Sequence, residues 1–227
     1  MNALVLACGN DRVADSAALF TDSDSQVEVH AVPERPERPV LDPLLVGAEH
    51  VVVHGTDADL AAVALRLLRK ELLETITVGY VPADPARSTV RALWDLPADP
   101  RRAAAVALRG DADPVPLVRD DAGGVLVGLG VLASVRGVVY CDDAVALRGR
   151  ASRVEVTPDP DGGPGLAVRV VKVGLTGKRV HTFQCRAVQA GCLPVIPRSD
   201  GVDHPREAGR WTWYRHTADL RLTRGLL

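Results

Sequence analysis

Apolar and polar positions along the chain follow two rhythms, and the change falls near Asp111. Before it, short apolar runs alternate with stretches in which apolar residues recur every three or four positions. Residues 2–8 and 50–54 read as strands, 26–31 alternates as a second β segment, and 75–81 reads as another. Between them Val13, Ala17, Ala18 and Phe20 predict a helix over 11–20. Leu60, Val63, Ala64, Leu67, Leu68 and Leu72 predict a longer one. Helices are also expected over 86–93 and 100–108. Strands alternating with helices imply a mostly parallel sheet covered on both faces.

After Asp111 the helical period is lost. Segments of β type recur over 115–119, 125–131, 135–141, 152–157, 167–173, 179–188, 193–196, 210–214 and 220–223. Turn signals separate them, among them Asp121-Ala122-Gly123-Gly124, the Gly- and Pro-rich run 159–165, Thr176-Gly177 and Asp200-Gly201. The pattern predicts an α/β domain over 1–112 and an all-β, sandwich-like domain over 113–227.

One stretch organises the first half. Val51-Val52-Val53-His54-Gly55 leads into Thr56-Asp57-Ala58-Asp59, and the helical period begins at Leu60. This is a strand, a tight loop and a helix start. Ligands of α/β proteins bind beyond the carboxyl ends of the strands, and amides at a helix N-terminus can hold an anion. The plainer reading is a strand-to-helix connection capped by Asp57 or Asp59. The run 33–39, with prolines at 33, 36 and 39, is expected to be a solvated surface loop, since each Pro removes a backbone donor.

Composition narrows the partners. Apolar residues make up 47% and charged residues 25% of the 227, so the chain is globular. The net charge of −2 asks for no nucleic acid. No targeting or membrane-spanning segment is visible, and the longest apolar run, 125–133, is interrupted by Gly128 and Gly130. A cytoplasmic location and at most peripheral membrane contact are expected. Cys8, Cys141, Cys185 and Cys192 form no CxxC pair and are expected as reduced core thiols. With His181, His204 and His216 the last two could line a zinc site, but the spacings fit no tight ligand pair. Trp211 and Trp213 share one strand face, as core or as a platform for an apolar ligand.

Two motifs carry a resemblance. Gly55-Thr56-Asp57-Ala58-Asp59-Leu60 aligns without gaps on the Gly-Gly-Asp-Gly-Thr-Leu loop of the diacylglycerol kinase family of lipid kinases, relatives of the NAD kinases. The run from Val81 to Leu93 is similar to that family's Pro-Leu-Gly-Thr-x-Asn-Asp-Phe-Ala-Arg-Ser-Leu signature, matching at Pro82, Arg91 and Leu93. Asp200-Gly201-Val202 resembles the family's Asp-Gly-Glu. The resemblance implies an NAD kinase-like, three-layer α/β domain followed by the β domain. It also implies ATP and Mg²⁺ as cofactors and phosphoryl transfer to a lipid hydroxyl. Residue by residue it implies nucleotide contact at Gly55, Thr56, Asp57, Ala58, Asp59 and Pro82. It further implies a phosphate clamp at Arg87 and a base at Asp200 or Asp203.

The same motifs depart from the family. Two loop glycines are Thr56 and Ala58, the loop Thr is Asp59, and the Glu of Asp-Gly-Glu is Val202. Each added Cβ resists positive φ, Asp59 puts a negative charge where phosphate is expected, and Val202 cannot accept a proton. Three readings follow: an ATP-dependent lipid kinase, a catalytically inactive pseudokinase kept as a binding or regulatory module, and a cleft for another nucleotide or acidic metabolite. The partners expected are a lipid or small-molecule ligand and a second copy of the chain in a homodimer.

Overall fold

The computed structural model describes residues 3–9, 13–20, 27–174 and 177–225. The expected element starts at Asn2, Asp11 and Gln26, and Thr176 of one expected turn, lie outside the described residues. The chain forms two compact units, Met1–Val115 with Ala218–Leu227, and Pro116–Thr217.

The first unit holds β1 (Ala3–Cys8), α1 (Val13–Phe20), β2 (Val27–Val32), α2 (Arg38–Leu44), β3 (His50–Gly55), α3 (Asp57–Arg69) and β4 (Thr77–Pro82). It continues with α4 (Thr89–Leu93), α5 (Pro100–Arg109) and β5 (Ala112–Val115). Its last strand, β18 (Leu220–Thr223), comes from the far end of the chain. The sheet order is β2-β1-β3-β4-β18-β5, parallel except where β5 runs against β18. Every residue of β1 and β3 is buried. Strands covered on both faces need no polar alternation, which is why 51–53 reads as a continuous apolar run. Val5, Val52 and Val81 pack with Phe20 of α1 and Ala103, Ala104 and Ala107 of α5. Leu60, Val63, Ala64 and Leu67 make the buried stripe of α3, at the predicted spacing.

The boundary differs from expectation at the C-terminus. Residues 220–223 were expected in the β domain, yet they enter the first sheet between β4 and β5. A four-residue segment alternating apolar and polar has no signal for which sheet it joins; the free strand edges decide. A second difference is α2. Prolines 39 and 43 argue against a helix, but Pro39 falls in the first turn, where its missing N–H would have had no intrahelical partner.

The second unit holds two six-stranded antiparallel sheets. One runs β10 (Ala144–Arg150), β9 (Arg136–Cys141), β14 (Ala187–Val195), β17 (Ala208–Arg215), β6 (Val118–Asp120), β7 (Val125–Leu126). The other runs β13 (Gly177–Cys185), β12 (Leu166–Gly174), β11 (Arg153–Pro158), β8 (Gly130–Ala133), β15 (Arg198–Ser199), β16 (Val202–Asp203). Residues of both sheets share one core, with Val139, Leu147 and Val188 from the first and Leu132, Val154, Val156, Val168 and Val170 from the second. This is the expected sandwich. Trp211 and Trp213 lie in that core, 5% and 1% exposed, so they fill it and form no open platform. The strand β10 was not expected. It is a sheet edge whose residues are mostly exposed and include three of charged or Gly type at its end, so it lacks an apolar period.

Among the described residues no helix is long and apolar enough to cross a membrane.

Candidate functional site

The loop after β3 begins at Gly55, whose carbonyl accepts from Ala83 N (2.7 Å) just past β4. Gly55 pairs in register with Pro82, so both strand ends meet at one rim of the sheet. Thr56 has extended backbone and is the N-cap of α3. Neither Asp57 nor Asp59 is the cap. Asp59 is instead the third helical residue of a capping box. Its N–H donates to Thr56 Oγ1 (3.3 Å), and its Oδ2 accepts from Thr56 N (2.7 Å).

Asp59 does more than cap. Its Oδ2 also accepts from the Thr56 hydroxyl (2.8 Å), and its Oδ1 accepts from Arg35 N (2.6 Å). The side chain is buried, 1% exposed. A Cβ added at Gly55 would come within 2.5 Å of that same Oδ2. Glycine at 55 therefore makes room for the Asp59 carboxylate. Arg35, at φ 49, ties the proline-rich stretch into the loop, and Pro36 is buried. The stretch 33–39 is otherwise exposed, as expected, and meets the loop through the Arg35 amide.

Asp57, partly buried, turns the other way. Its Oδ1 accepts from Tyr80 Oη (2.8 Å) and Ser88 Oγ (2.6 Å); its Oδ2 accepts from Thr89 N (2.7 Å) and Val90 N (3.2 Å). Two donors on each oxygen use the acceptor capacity of a carboxylate. Burial, and then the Asp57 charge, push the Tyr80 phenol far above its ordinary value, so it stays a donor. Its proton is shared with the Gly55 carbonyl at 3.2 Å. Tyr80, Ser88 and Thr89 are absent from the sequence-based site. The signal available was weak: a Tyr in a buried strand needs a polar partner, and Ser88 is the N-cap of α4.

The remaining candidates are dispersed. Ala58 is half-buried in the first turn of α3. Arg87, expected as a phosphate clamp, has its side chain 89% exposed and reaches Asp84 at 3.4 Å. Arg91, which matches the family signature, donates to the Pro85 and Leu96 carbonyls and braces the chain on either side of α4. On the other side of β3, Ser16 Oγ of α1 lies 2.7 Å from His54 Nδ1, both buried.

In the second unit Asp200 and Gly201, at φ 50 and 84, form the two-residue turn between β15 and β16. Two successive left-handed residues of Asp-Gly type are what a type I′ hairpin requires. The Asp200 carboxylate, 9% exposed, accepts from Val127 N (3.0 Å), Gly128 N (2.7 Å) and Leu129 N (3.0 Å). That clasp is why the expected strand 125–131 is broken into β7 and β8. Asp203 faces Arg198 across the hairpin in a forked pair of 2.6 and 3.0 Å. The Arg198 hydrogen bond holds the Asp203 carboxyl below its ordinary value. Each carboxylate is thus engaged by donors of its own unit.

These contacts test the implied cofactors. The Thr56 amide, Thr56 hydroxyl and Arg35 amide that would face a phosphate are held by Asp59. The Asp57 oxygens that would face Mg²⁺ are filled by four donors. As the loop stands, its residues do not fit a nucleotide triphosphate with its metal. Among the described residues no group of three or more His, Cys, Asp or Glu is placed to hold a metal ion.

The fold itself defines a class: a mostly parallel α/β unit whose sheet takes back the last strand of the chain after a β-sandwich unit. This is the kinase-like fold shared by diacylglycerol kinases and NAD kinases. A crystal structure of a diacylglycerol kinase from Bacillus anthracis str. Sterne matches with TM-score 0.71 at 13% identity, over 98% of this chain and 97% of that one. An NAD kinase from Archaeoglobus fulgidus in complex with ATP matches with TM-score 0.59 at 12% identity, over 99% of this chain and 94% of that one. No protein-family model and no curated protein matches the sequence. At such identities the likeness is one of fold.

Proposed function

We propose that this chain is a catalytically inactive protein built on the lipid-kinase fold, a pseudokinase that serves as a ligand-binding or regulatory module. One observation carries the reading: the buried Asp59 carboxylate occupies the amides and hydroxyl of the loop after β3. A bound triphosphate would have to displace an anion that belongs to the fold, at the cost of a capping box and of the Arg35 bond. The other carboxylates implied by the resemblance are equally engaged, Asp200 by three amides and Asp203 by Arg198. The ligand on this reading is a lipid or small molecule.

The second reading is an ATP- and Mg²⁺-dependent lipid kinase. It is favoured by the fold likeness to an NAD kinase in complex with ATP. One experiment separates the two. The purified protein is given labelled ATP, Mg²⁺ and vesicles containing diacylglycerol, and its melting temperature is followed with and without ATP. The pseudokinase reading expects no labelled lipid and no ATP-dependent shift. Labelled lipid that disappears in Asp57→Ala would establish the kinase. A thermal-shift screen of other nucleotides and acidic metabolites then addresses the ligand.

A further inference from the structure

The sandwich carries a pair of thiols that none of the preceding chemistry uses. Cys141 ends β9 in one sheet, and Cys185 ends β13 in the other. Both belong to the shared core, 4% and 1% exposed, and both are free. Their backbones are held together by the next residue of each strand. Asp142, at φ 49, turns its carboxylate to accept from Arg186 N at 3.1 Å and Ala187 N at 2.9 Å. In return Asp142 N donates to the Ala187 carbonyl at 2.9 Å. Cys141 is also in register with Val188 of β14, so the clasp is continuous with the sheet. The clasp and the shared core place the two side chains side by side at the end of the core, one residue in from the exposed Asp142 and Arg186.

We propose that Cys141 and Cys185 are an oxidative modification site, at which a hydroperoxide converts the two thiols into a disulfide that cross-links the two sheets. Cys141, the more exposed of the two, reacts first. A hydrogen bond from the Cys185 thiol holds Cys141 below its ordinary value, whereas that same contact and burial push Cys185 up. The thiolate is the nucleophile toward peroxide. The Cys141 sulfur attacks one peroxide oxygen, the O–O bond breaks, and the pair is left as a sulfenic acid and hydroxide (or alkoxide). Cys185 sulfur then attacks the Cys141 sulfur, the S–O bond breaks, and water leaves. For hydrogen peroxide the sum is two thiols plus one peroxide giving one disulfide and two waters. The other cysteines lack this arrangement: Cys8 is on β1 of the first unit, and Cys192 is on β14, seven positions past Cys185 (192 − 185).

The test uses the full-length native protein and a modest excess of hydrogen peroxide. After quenching, the protein is unfolded and alkylated, and its intact mass is read. Trypsin then separates the cysteines, since Cys141, Cys185 and Cys192 fall in peptides 137–148, 180–186 and 187–198. The expected result is a fall from four alkylated thiols to two, with peptide 137–148 joined to 180–186. The melting temperature of the oxidised protein should rise by about 5 °C or more, because a cross-link of this span constrains the unfolded chain. Cys141→Ala, checked for an unchanged circular dichroism spectrum, should keep all its remaining thiols under the same treatment. Four unreacted thiols in the wild type, a cross-link through Cys192 or Cys8, or sulfinic acid at Cys141 without a cross-link would each overturn the proposal. The wild-type peptide map decides it even if the variant does not fold.

Discussion

The loop after β3 and the turn between β15 and β16 both wrap carboxylates in donors, but they do so at different kinds of position. In the loop, Asp57 and Asp59 start a helix of thirteen residues and gather donors from four separate segments: the loop itself, Arg35, Tyr80 and the start of α4. In the turn, Asp200 gathers three successive amides from one segment, 127–129. The first is a junction and the second is a clasp. Asp203 is a third case, an exposed ion pair across a hairpin. A carboxylate that resembles a catalytic residue in sequence can therefore be a structural acceptor, and its donors show which. The stability measured on losing it should follow how many donors are orphaned and how deeply they are buried.

That comparison can be broken by urea unfolding of single variants. Asp200→Ala should have the largest effect, a loss of about 4 kcal/mol, because three amides, two of them buried, lose their acceptor and Ala must hold a left-handed backbone. A loss under about 1 kcal/mol would mean the clasp is not structural. Asp59→Ala should cost about 3 kcal/mol, through the capping box and the Arg35 amide. If it instead left stability unchanged and raised affinity for ATP, the carboxylate would be a removable gate. Tyr80→Phe should cost about 1 kcal/mol, since Asp57 keeps its other three donors. Asp203→Asn should have the smallest effect, a slight fall in the denaturation midpoint at neutral pH that vanishes at low pH. The sign of its pH dependence follows from its lowered value. The folded carboxylate holds its charge to lower pH than the unfolded one. The stabilisation is present above the unfolded value of about 3.8 and is lost as the pH falls through the folded value. Asp203→Asn should flatten that acid limb, seen in midpoints recorded from pH 6 to pH 2 as an order-of-magnitude window.

Much of the fold was legible because its signals are local. The apolar run 51–53 and the stripe Leu60, Val63, Ala64, Leu67 each state their own period, and both elements form as expected. The Asp-Gly pair at 200–201 is a local turn signal and makes a turn. What failed was non-local. The strand 220–223 changes unit because a sheet edge is open to it. Residues 179–188 read as one strand, yet the chain crosses from one sheet to the other at Arg186, and both halves have the same β character. The site shows the same division. Gly55, Thr56, Asp57, Asp59 and Pro82 do come together, because a strand, its loop and the neighbouring strand end are set by chain order and parallel pairing. Arg87 does not join them. It directly precedes Ser88, but its side chain points to solvent.

By itself the sequence determined the two rhythms, the strand–loop–helix at 51–72 and the Asp-Gly turn, since each depends on residues close in the chain and on periods of two or 3.6. Only the tertiary structure decided what the carboxylates do. Whether Asp57, Asp59 or Asp200 is free for a ligand depends on donors at 35, 80, 88–90 and 127–129, brought in from distant segments. A hydrogen bond is made in space, and the spacing of its partners along the chain carries no trace of it.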